Sequence, residues 1–306
     1  MKILFVSSGN SGKISPIVKS QGESLKKINV SVEYFSIQGK GIRGYIKNIF
    51  RLRNHLKNNK YDCVHAHYLF SALVATFASS KPLVVSLMGS DSSKKGFYRL
   101  LIRFLVSNFW SSTIVKAEEM HNDIDIKSIN IIPNGVNFDH FKPINRNIAI
   151  EKINWDKNKK HILFASNSNR HEKNFVLAQS AYNIIKNQNI ELHTLDNVPF
   201  ELMPYYFNAA DVILLTSLRE GSPNVIKEAM ACCRPIVVTN VGDVKKVLGN
   251  VKNTFIVESN IEAVSHALKC ILALEYSSTL GRETIQWLDQ DLIAKKLVGI
   301  YKSIHK

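Results

Sequence analysis

The sequence predicts an α/β fold in which two doubly wound parallel-sheet domains follow each other along the chain. Three observations lead to this prediction. Short β-branched apolar runs alternate with helix-length segments, the runs form two series, and 306 residues correspond to about two domains of typical size. Continuous apolar strands alternating with helices indicate a parallel sheet covered on both faces. Apolar residues make up 45% and charged residues 21% of the chain, which excludes a disordered or collagen-like protein.

The apolar runs themselves are the predicted strands. In the first series they are Ile3–Ser7, Val30–Phe35, Cys63–Ala66, Leu83–Leu87, Thr113–Val115 and Asn130–Ile132, and in the second Ile162–Ala165, Glu191–Leu195, Val212–Leu215, Pro235–Thr239 and Thr254–Val257. Residues 146–160 have no clear period, which predicts a linker. We therefore expect an N-terminal domain over 1–145, a C-terminal domain over 161–285 and a terminal helical segment over 286–306.

Basic charge is concentrated in the first half of the chain. Residues 1–150 contain 21 Lys and Arg against 9 Asp and Glu, whereas residues 151–306 contain 19 against 16. The first half is therefore expected to meet an anionic partner. Two amphipathic segments each carry a row of cations at helical spacing. The rows are Arg43, Lys47 and Arg51, and Lys95, Arg99 and Arg103.

These two rows leave two interpretations open. Cations beside aromatic and aliphatic side chains suit an anionic membrane surface. Alternatively, the apolar faces cover the sheet and the cations are simply solvated. No helix-turn-helix, zinc-binding or RNP-type pattern accompanies the charge, so no nucleic-acid partner is expected.

Cysteine usage and apolar run lengths indicate a cytoplasmic protein. The four cysteines, at 63, 232, 233 and 270, include no CxxC pair, which predicts reduced and mostly buried thiols. Met1 and Lys2 lead directly into an apolar run, which predicts a strand rather than a signal peptide. No apolar run approaches the roughly 18 residues that span a bilayer. We expect a cytoplasmic location, with peripheral attachment to the inner face of the plasma membrane through the basic first half.

The densest chemistry follows the third predicted strand of the second series. There the chain reads REGSPN (219–224), and Ser222 is expected to cap a helix that has Pro223 in its first position. The free N–H groups of a first helical turn attract anions such as a diphosphate. Glu220 and Glu228 frame this site, and a carboxylate can accept two sugar hydroxyls at once. Acidic residues that merely complement a helix dipole give the same pattern, so both interpretations stay open at this point.

The wider block around these residues is more specific. The motif EGSPNVIKEAMAC, with seven residues between Glu220 and Glu228, resembles the signature of glycosyltransferase family 4, a family of retaining sugar transferases with the GT-B fold. Other stretches agree in order: DCVHAHY (62–68), SLMGSD (86–91), IPNGVNFDHFKP (132–143) and ILFASNSNRHEKNF (162–175). The resemblance implies two Rossmann-like domains that face a central cleft. It places the nucleotide-sugar donor on the C-terminal domain and the acceptor on the N-terminal domain, toward which the terminal helix packs back.

The resemblance also implies a role for each donor-side residue. Glu228 matches the glutamate that holds the ribose hydroxyls of the nucleotide, and Glu220 matches the one beside the transferred sugar. Gly221, Ser222 and Asn224 are expected to lie against the sugar and the diphosphate.

The resemblance also assigns a role to two cations. Arg170 and Lys173 match the family pair that neutralises the leaving diphosphate. That role is physically reasonable, because breaking a sugar–phosphate bond builds negative charge that fixed cations stabilise. An ordinary solvated surface loop is the alternative.

On the acceptor side, the resemblance places four residues along the cleft. They are Gly9, Gly12, His67 and Asp91. His65 and His67 are two apart at a strand end and share a face, but no third metal ligand is evident, so we interpret them as supporting residues. Many relatives carry a histidine where this chain has Met88, which cannot hydrogen-bond a sugar hydroxyl.

The resemblance thus predicts transfer of a sugar, with retention, from a UDP- or GDP-sugar to a glycan or lipid-linked acceptor in surface polysaccharide synthesis. No metal-binding DxD pair stands where one would be expected, so we predict no metal or other cofactor. Two alternatives remain. A GT-B-fold sugar-nucleotide epimerase would convert the donor without an acceptor, and a catalytically degenerate protein would bind the donor without turnover.

Overall fold

The computed structural model describes residues 1–9, 14–39, 41–88, 96–126, 128–274 and 278–304. It divides the chain into two compact α/β units, Met1–Gly135 together with Gln290–Lys306, and Val136–Asp289. Each unit is built on one sheet in which every described strand pairs in parallel. The predicted class of fold, two doubly wound parallel-sheet domains, is confirmed.

The first unit contains a sheet of six described strands in the order β2-β1-β3-β4-β5-β6. The strands are β1 (Lys2–Ser8), β2 (Ser31–Ile37), β3 (Cys63–His67), β4 (Leu83–Ser86), β5 (Ser112–Val115) and β6 (Ile129–Ile131). Its helices are α1 (Pro16–Lys27), α2 (Gly41–Asn58), α3 (Leu69–Phe77), α4 (Phe97–Asn108), α5 (Glu118–Ile124) and, from the end of the chain, α13 (Gln290–Ser303).

Apolar cores cover both faces of this first sheet. Leu4 and Val6 of β1 join one core, while Ile3 and Phe5 join the other, because successive side chains of a strand point to opposite faces. The second core includes the buried side of α13, which is why this distant helix belongs to the first unit. Doubly buried strands explain the continuous apolar runs in the sequence.

The second unit contains a sheet of five described strands in the order β11-β10-β9-β7-β8. The strands are β7 (Lys160–Phe164), β8 (Ile190–Thr194), β9 (Val212–Leu215), β10 (Ile236–Thr239) and β11 (Thr254–Val257). Its helices are α6 (Arg146–Ile153), α7 (Phe175–Ile185), α8 (Met203–Ala209), α9 (Asn224–Ala231), α10 (Val244–Leu248), α11 (Ile261–Leu272) and α12 (Gly281–Thr284), with 3-10 turns at His171–Lys173, Phe200–Leu202 and Gln286–Leu288.

The predicted linker over 146–160 differs from the structure. Residues 146–153 form helix α6, whose first turn is capped by the Asn145 side chain accepting the Asn147 N–H at 2.9 Å. Arg146 then pairs with Asp211 at 3.0 Å and fixes the helix to the second unit. The sequence pattern did not predict this helix because its apolar residues form no clear one-sided stripe.

Two further features concern the lengths of the helices and the state of the cysteines. Within the described ranges, no helix combines the length and the apolar character that crossing a membrane requires. The four cysteines are free thiols; Cys63 and Cys232 are buried, whereas Cys233 and Cys270 are partly exposed.

Candidate active site

The candidate site lies where the strand order of the second sheet reverses. After β7 the chain adds β8 on one side and β9 on the other, so β7 and β9 are neighbours whose following loops leave in different directions. In open α/β sheets, ligands bind at the carboxyl ends of strands at such a switch point. The loop after β7 ends in the turn His171–Lys173, and the loop after β9 leads into α9.

These two loops bring Lys173 and Glu220 into direct contact. The Lys173 ammonium and Glu220 Oε1 form an ion pair, and the Ser217 hydroxyl donates to the same oxygen at 2.7 Å. The lysine is 8% exposed, so little water screens its charge. The structure therefore joins a buried cation to a carboxylate that the sequence places 47 residues away.

Hydrogen bonds fix both loops to each other and to the sheet. The Thr216 hydroxyl donates to the Asn174 carbonyl at 2.9 Å, and the Leu218 N–H donates to the Glu172 carbonyl at 3.0 Å. From the next strand, the Thr239 hydroxyl donates to the Ser217 carbonyl at 2.8 Å. The Lys173–Glu220 pair thus stands on a supported frame, as sites that stabilise developing charge require.

Arg170, the other predicted cation, does not lie beside Glu220. Its side chain is exposed and bonds within its own turn, with Nε donating to Glu172 Oε1 at 2.8 Å. The structure does not bring Arg170 to Glu220, so of the two predicted cations Lys173 alone joins the pair.

Glu228 lies on the fifth residue of α9, next to the loop that carries Glu220. The residue is partly exposed, but its Oε2 atom is enclosed and has no hydrogen-bond partner among the described residues. Burial raises the pKa of its carboxyl group to about 7, although the charge of Lys227 opposes the rise. Because the residue as a whole is partly exposed, its carboxylate can accept hydrogen bonds from two vicinal hydroxyls of a ligand.

The start of α9 corrects one prediction. Ser222 does not cap the helix: Pro223 stands at the cap position, Asn224 is the first helical residue, and no side chain caps the helix. The Ser222 hydroxyl instead donates to Asp243 Oδ2 at 2.6 Å. Proline has no side-chain acceptor, so residue 223 itself does not cap the first turn of α9.

Gly221 and Gly242 meet backbone to backbone beneath this loop. The Gly221 carbonyl accepts the Asp243 N–H at 3.1 Å. Gly242 has φ +54°, and a Cβ atom there would lie 2.4 Å from the same carbonyl oxygen. Glycine at 242 thus allows the Asp243 turn to approach the loop that carries Glu220.

Sequence reasoning missed two ionisable residues beside Glu228. Lys227 is fully buried, and burial lowers its pKa to about 8 while Asp243 and Glu228 oppose that shift. Burial also raises the pKa of Asp243, again against the charge of Lys227. Lys227 stands inside the quoted EGSPNVIKEAMAC motif, where a lysine in the middle of an apolar helical run was the available signal, and Asp243 follows in VGDV (241–244).

On the acceptor side, two of the four predicted residues are described. His67 ends β3, is fully buried, and has no hydrogen-bond partner for either ring nitrogen among the described residues. Gly9 approaches β2 so closely that a Cβ atom would lie 1.7 Å from Ser36 Oγ, which gives it a packing role. Gly12 and Asp91 lie outside the described residues.

The neighbouring His65 is a hydrogen-bonded core residue. One ring nitrogen lies 2.6 Å from the Tyr301 hydroxyl of α13 and the other 2.9 Å from the Ser86 hydroxyl. Its ring stacks on that of His67 at 4.3 Å, which confirms that the two share a face.

Comparison with known proteins agrees with the fold and the motifs. A sequence model of glycosyltransferase family 4 matches residues 17–140, and one of glycosyl transferases group 1 matches residues 157–273. The chain is 26% identical, over 73% of its length and 69% of the relative, to an Escherichia coli UDP-Gal:alpha-D-GlcNAc-diphosphoundecaprenol alpha-1,3-galactosyltransferase. It is 23% identical, over 72% of its length and 64% of the relative, to a D-inositol 3-phosphate glycosyltransferase of Pseudarthrobacter chlorophenolicus. The chain thus spans about two thirds of these relatives.

Solved structures share the architecture. Sucrose-phosphate synthase of Thermosynechococcus elongatus superimposes with a TM-score of 0.85 at 16% identity, over 99% of both chains. Anabaena Alr3699/HepE, solved in complex with UDP-glucose, gives 0.75 at 17% identity, over 99% of this chain and all of the other. The fold and the motifs at its switch point define a GT-B glycosyltransferase. With both halves matched by family models, the chain belongs to glycosyltransferase family 4.

Proposed function

We propose that this chain transfers a sugar, with retention and without a metal ion, from a nucleotide-diphosphate sugar to a lipid-linked acceptor. A UDP-sugar is the favoured donor because an Escherichia coli relative is named as a UDP-Gal transferase and a structural neighbour was solved with UDP-glucose. That same relative is named for a diphosphoundecaprenol-linked acceptor, which supports a polyprenyl diphosphate sugar here.

The enclosed Oε2 atom of Glu228 carries the donor proposal. It has no partner among the described residues, so a ribose whose two hydroxyls donate to this carboxylate would satisfy it. The nearby α9 N–H groups, Gly221 and the Ser222–Asp243 turn then form the border of a diphosphate position.

The proposed chemistry follows from the Lys173–Glu220 pair. When the bond between the sugar C1 and the diphosphate oxygen breaks, its electron pair goes to the diphosphate, and the Lys173 ammonium stabilises that charge. Glu220 would accept hydrogen bonds from hydroxyls of the transferred sugar and hold the sugar in position. The acceptor oxygen then bonds to C1 from the face that the diphosphate leaves, and its proton passes to a diphosphate oxygen.

We propose that the first unit, which contains His67, binds the acceptor and meets an anionic membrane. Four apolar side chains face solvent on the helices that carry the basic rows, of which Lys95 lies outside the described residues. They are Ile42 at 79% exposure and Phe50 at 62% on α2, and Leu100 at 67% and Phe104 at 56% on α4. Apolar side chains interspersed with cations favour adsorption to anionic lipid. Such a surface would bring the enzyme to a lipid-linked acceptor at the inner face of the membrane.

The decisive experiment is a transfer assay with UDP-galactose, UDP-glucose, UDP-N-acetylglucosamine and a polyprenyl diphosphate sugar, in the presence of a chelator. We expect acceptor-dependent release of UDP and an α-linked product by NMR. Glu228→Ala should lose UDP binding, whereas Glu151→Ala, which removes an exposed carboxylate of α6, is the matched control.

Each other outcome has a definite meaning. A β-linked product would contradict retention, and activity that returns only with added Mg²⁺ would contradict metal independence. Donor conversion without an acceptor would indicate an epimerase. UDP affinity that is equal in Glu228→Ala and the parent would refute the assignment of the ribose site.

A further inference from the structure

A second chemical cluster lies at the edge of the second sheet, away from the donor loops. It consists of His161 on β7 and Glu191 and His193 on the edge strand β8. The parallel register sets His161 opposite Glu191 and Leu163 opposite His193, so the three side chains project from one face. His161 and Glu191 are second residues of their strands, whereas the donor loops follow the last residues of β7 and β9.

The three ligand atoms form a nearly regular triangle. His161 Nδ1 lies 3.0 Å from His193 Nε2, and Glu191 Oε2 lies 3.7 Å from the first atom and 3.6 Å from the second. A triangle with these sides has a centre about 2.0 Å from each atom, which matches the bonds of about 2.0–2.2 Å from zinc to imidazole nitrogen and carboxylate oxygen.

The surroundings orient the rings as metal ligands are oriented. His161 Nε2 lies 2.8 Å from the Asp156 carbonyl, which can only accept, so that nitrogen carries the hydrogen and Nδ1 presents its lone pair. The Trp155 indole stacks on the His193 ring at 3.7 Å and 14°, which restricts its rotation.

We propose that His161, Glu191 and His193 bind one divalent transition-metal ion of the zinc class, with water in a fourth position. Two imidazoles and a carboxylate favour such an ion over magnesium or calcium, which prefer all-oxygen sites. The partly exposed His193 and Glu191 side chains, at 20% and 34%, leave the site open to solvent. The ion would join the edge strand β8 to β7, and its role is structural, because the donor site uses none of these residues.

One neighbouring charge gives the proposal a distinctive signature. The Lys159 ammonium lies 2.5 Å from Glu191 Oε1, on the carboxylate that would bind the ion. A cation next to a carboxylate weakens its attraction for a second cation. Lys159→Met should therefore tighten metal binding by several fold, a change that a purely structural ion pair would not produce.

The test is zinc titration of the chelator-treated 306-residue chain by calorimetry, with the melting temperature as a second readout. We expect one zinc ion per chain, a higher melting temperature with zinc, at least about tenfold weaker binding in Glu191→Gln, and loss of the site in His193→Asn. His266 Nε2 and Cys270 Sγ lie 3.7 Å apart on α11 and are a second pair of zinc ligands. All variants are therefore made in protein that carries Cys270→Ser, and His266→Ala is the matched control.

The remaining outcomes would overturn the proposal. No zinc uptake, or uptake with unchanged affinity in Glu191→Gln, would refute it, and Glu191→Gln keeps the test valid if His193→Asn fails to fold. Binding lost only in His266→Ala would assign the zinc to α11. UDP-induced stabilisation should persist in zinc-free protein, so failure of this site and failure of the proposed donor site are separable.

Discussion

Replacing Glu228 by glutamine should stabilise the protein and at the same time weaken nucleotide binding. The carboxylate has an enclosed Oε2 atom without a hydrogen-bond partner among the described residues, and burial raises its pKa from 4.5 to about 7. A raised carboxyl pKa means that the folded protein prefers the protonated form. Ionising Glu228 in the folded protein therefore costs free energy that glutamine does not incur.

The size and pH range of this cost follow from the two pKa values. At pH 4.5 and below, the carboxyl group is largely protonated in the folded state, and the cost is small. Between pH 4.5 and about 7 the cost grows, and above about 7 it is complete at about 3 kcal/mol at most, because one pKa unit corresponds to about 1.4 kcal/mol. The stability gain of Glu228→Gln should therefore rise from near zero at pH 4.5 to its full value at pH 8.

The measurement is urea unfolding of both proteins at pH 5, 6, 7 and 8, with UDP affinity measured on the same samples. Because all other ionisable groups are common to both proteins, the difference between the two curves reports position 228 together with its interaction with Lys227. Equal stability of the two proteins at pH 8, or a gain that does not vary with pH, would refute the reasoning. UDP affinity of the parent should fall as the pH drops below about 7, since the proton occupies the oxygen that the ribose hydroxyls need.

Two further changes test the loops around the donor position. Lys173→Met should lower kcat by about a hundredfold or more while KM changes little, because the ammonium acts on charge that develops in the transition state. Steady-state kinetics measures both constants, and a raised KM with normal kcat would contradict that role. Gly242→Ala should weaken UDP binding and lower the melting temperature more than Gly249→Ala does. The two glycines have nearly equal φ, +54° and +53°, but only the Cβ atom at 242 would meet a neighbour, the Gly221 carbonyl at 2.4 Å. Equal losses in both variants would show that backbone strain at positive φ alone explains the effect.

The fold was predictable from the sequence because the strands are buried on both faces. A run such as Val212–Leu215 is continuously apolar, and its short length and β-branched residues distinguish it from a helix. Helix α6 was not predictable in this way, since its stability comes from the Asn145 cap and the Arg146–Asp211 pair rather than from a one-sided apolar stripe. Long-range ion pairs leave no periodic trace in a sequence.

The sequence motifs named candidate site residues but not how these residues are arranged. Two separate stretches named Glu220, Glu228 and Lys173, and the structure brings Lys173 and Glu220 into contact across two loops. Ser222 was expected to cap α9 because serine before proline is a common start, but the approach of Asp243 offers its hydroxyl a charged partner. That approach depends on backbone contact at Gly242, which sequence spacing does not reveal.

Lys227 and Asp243, which the sequence analysis did not single out, lie beside Glu228, and burying the three groups lowers the stability of the nucleotide-free protein. Burial lowers the pKa of Lys227 to about 8 and raises the pKa values of Glu228 and Asp243, so each group is displaced toward its neutral form. Their mutual attraction opposes all three shifts without cancelling them. If a ribose donates to Glu228, its hydrogen bonds favour the ionised carboxylate and reverse the largest carboxyl shift. Nucleotide binding should then recover part of the stability that the buried charge removes. UDP should therefore raise the stability of the parent more than that of Glu228→Gln, because part of the binding energy comes from this carboxylate.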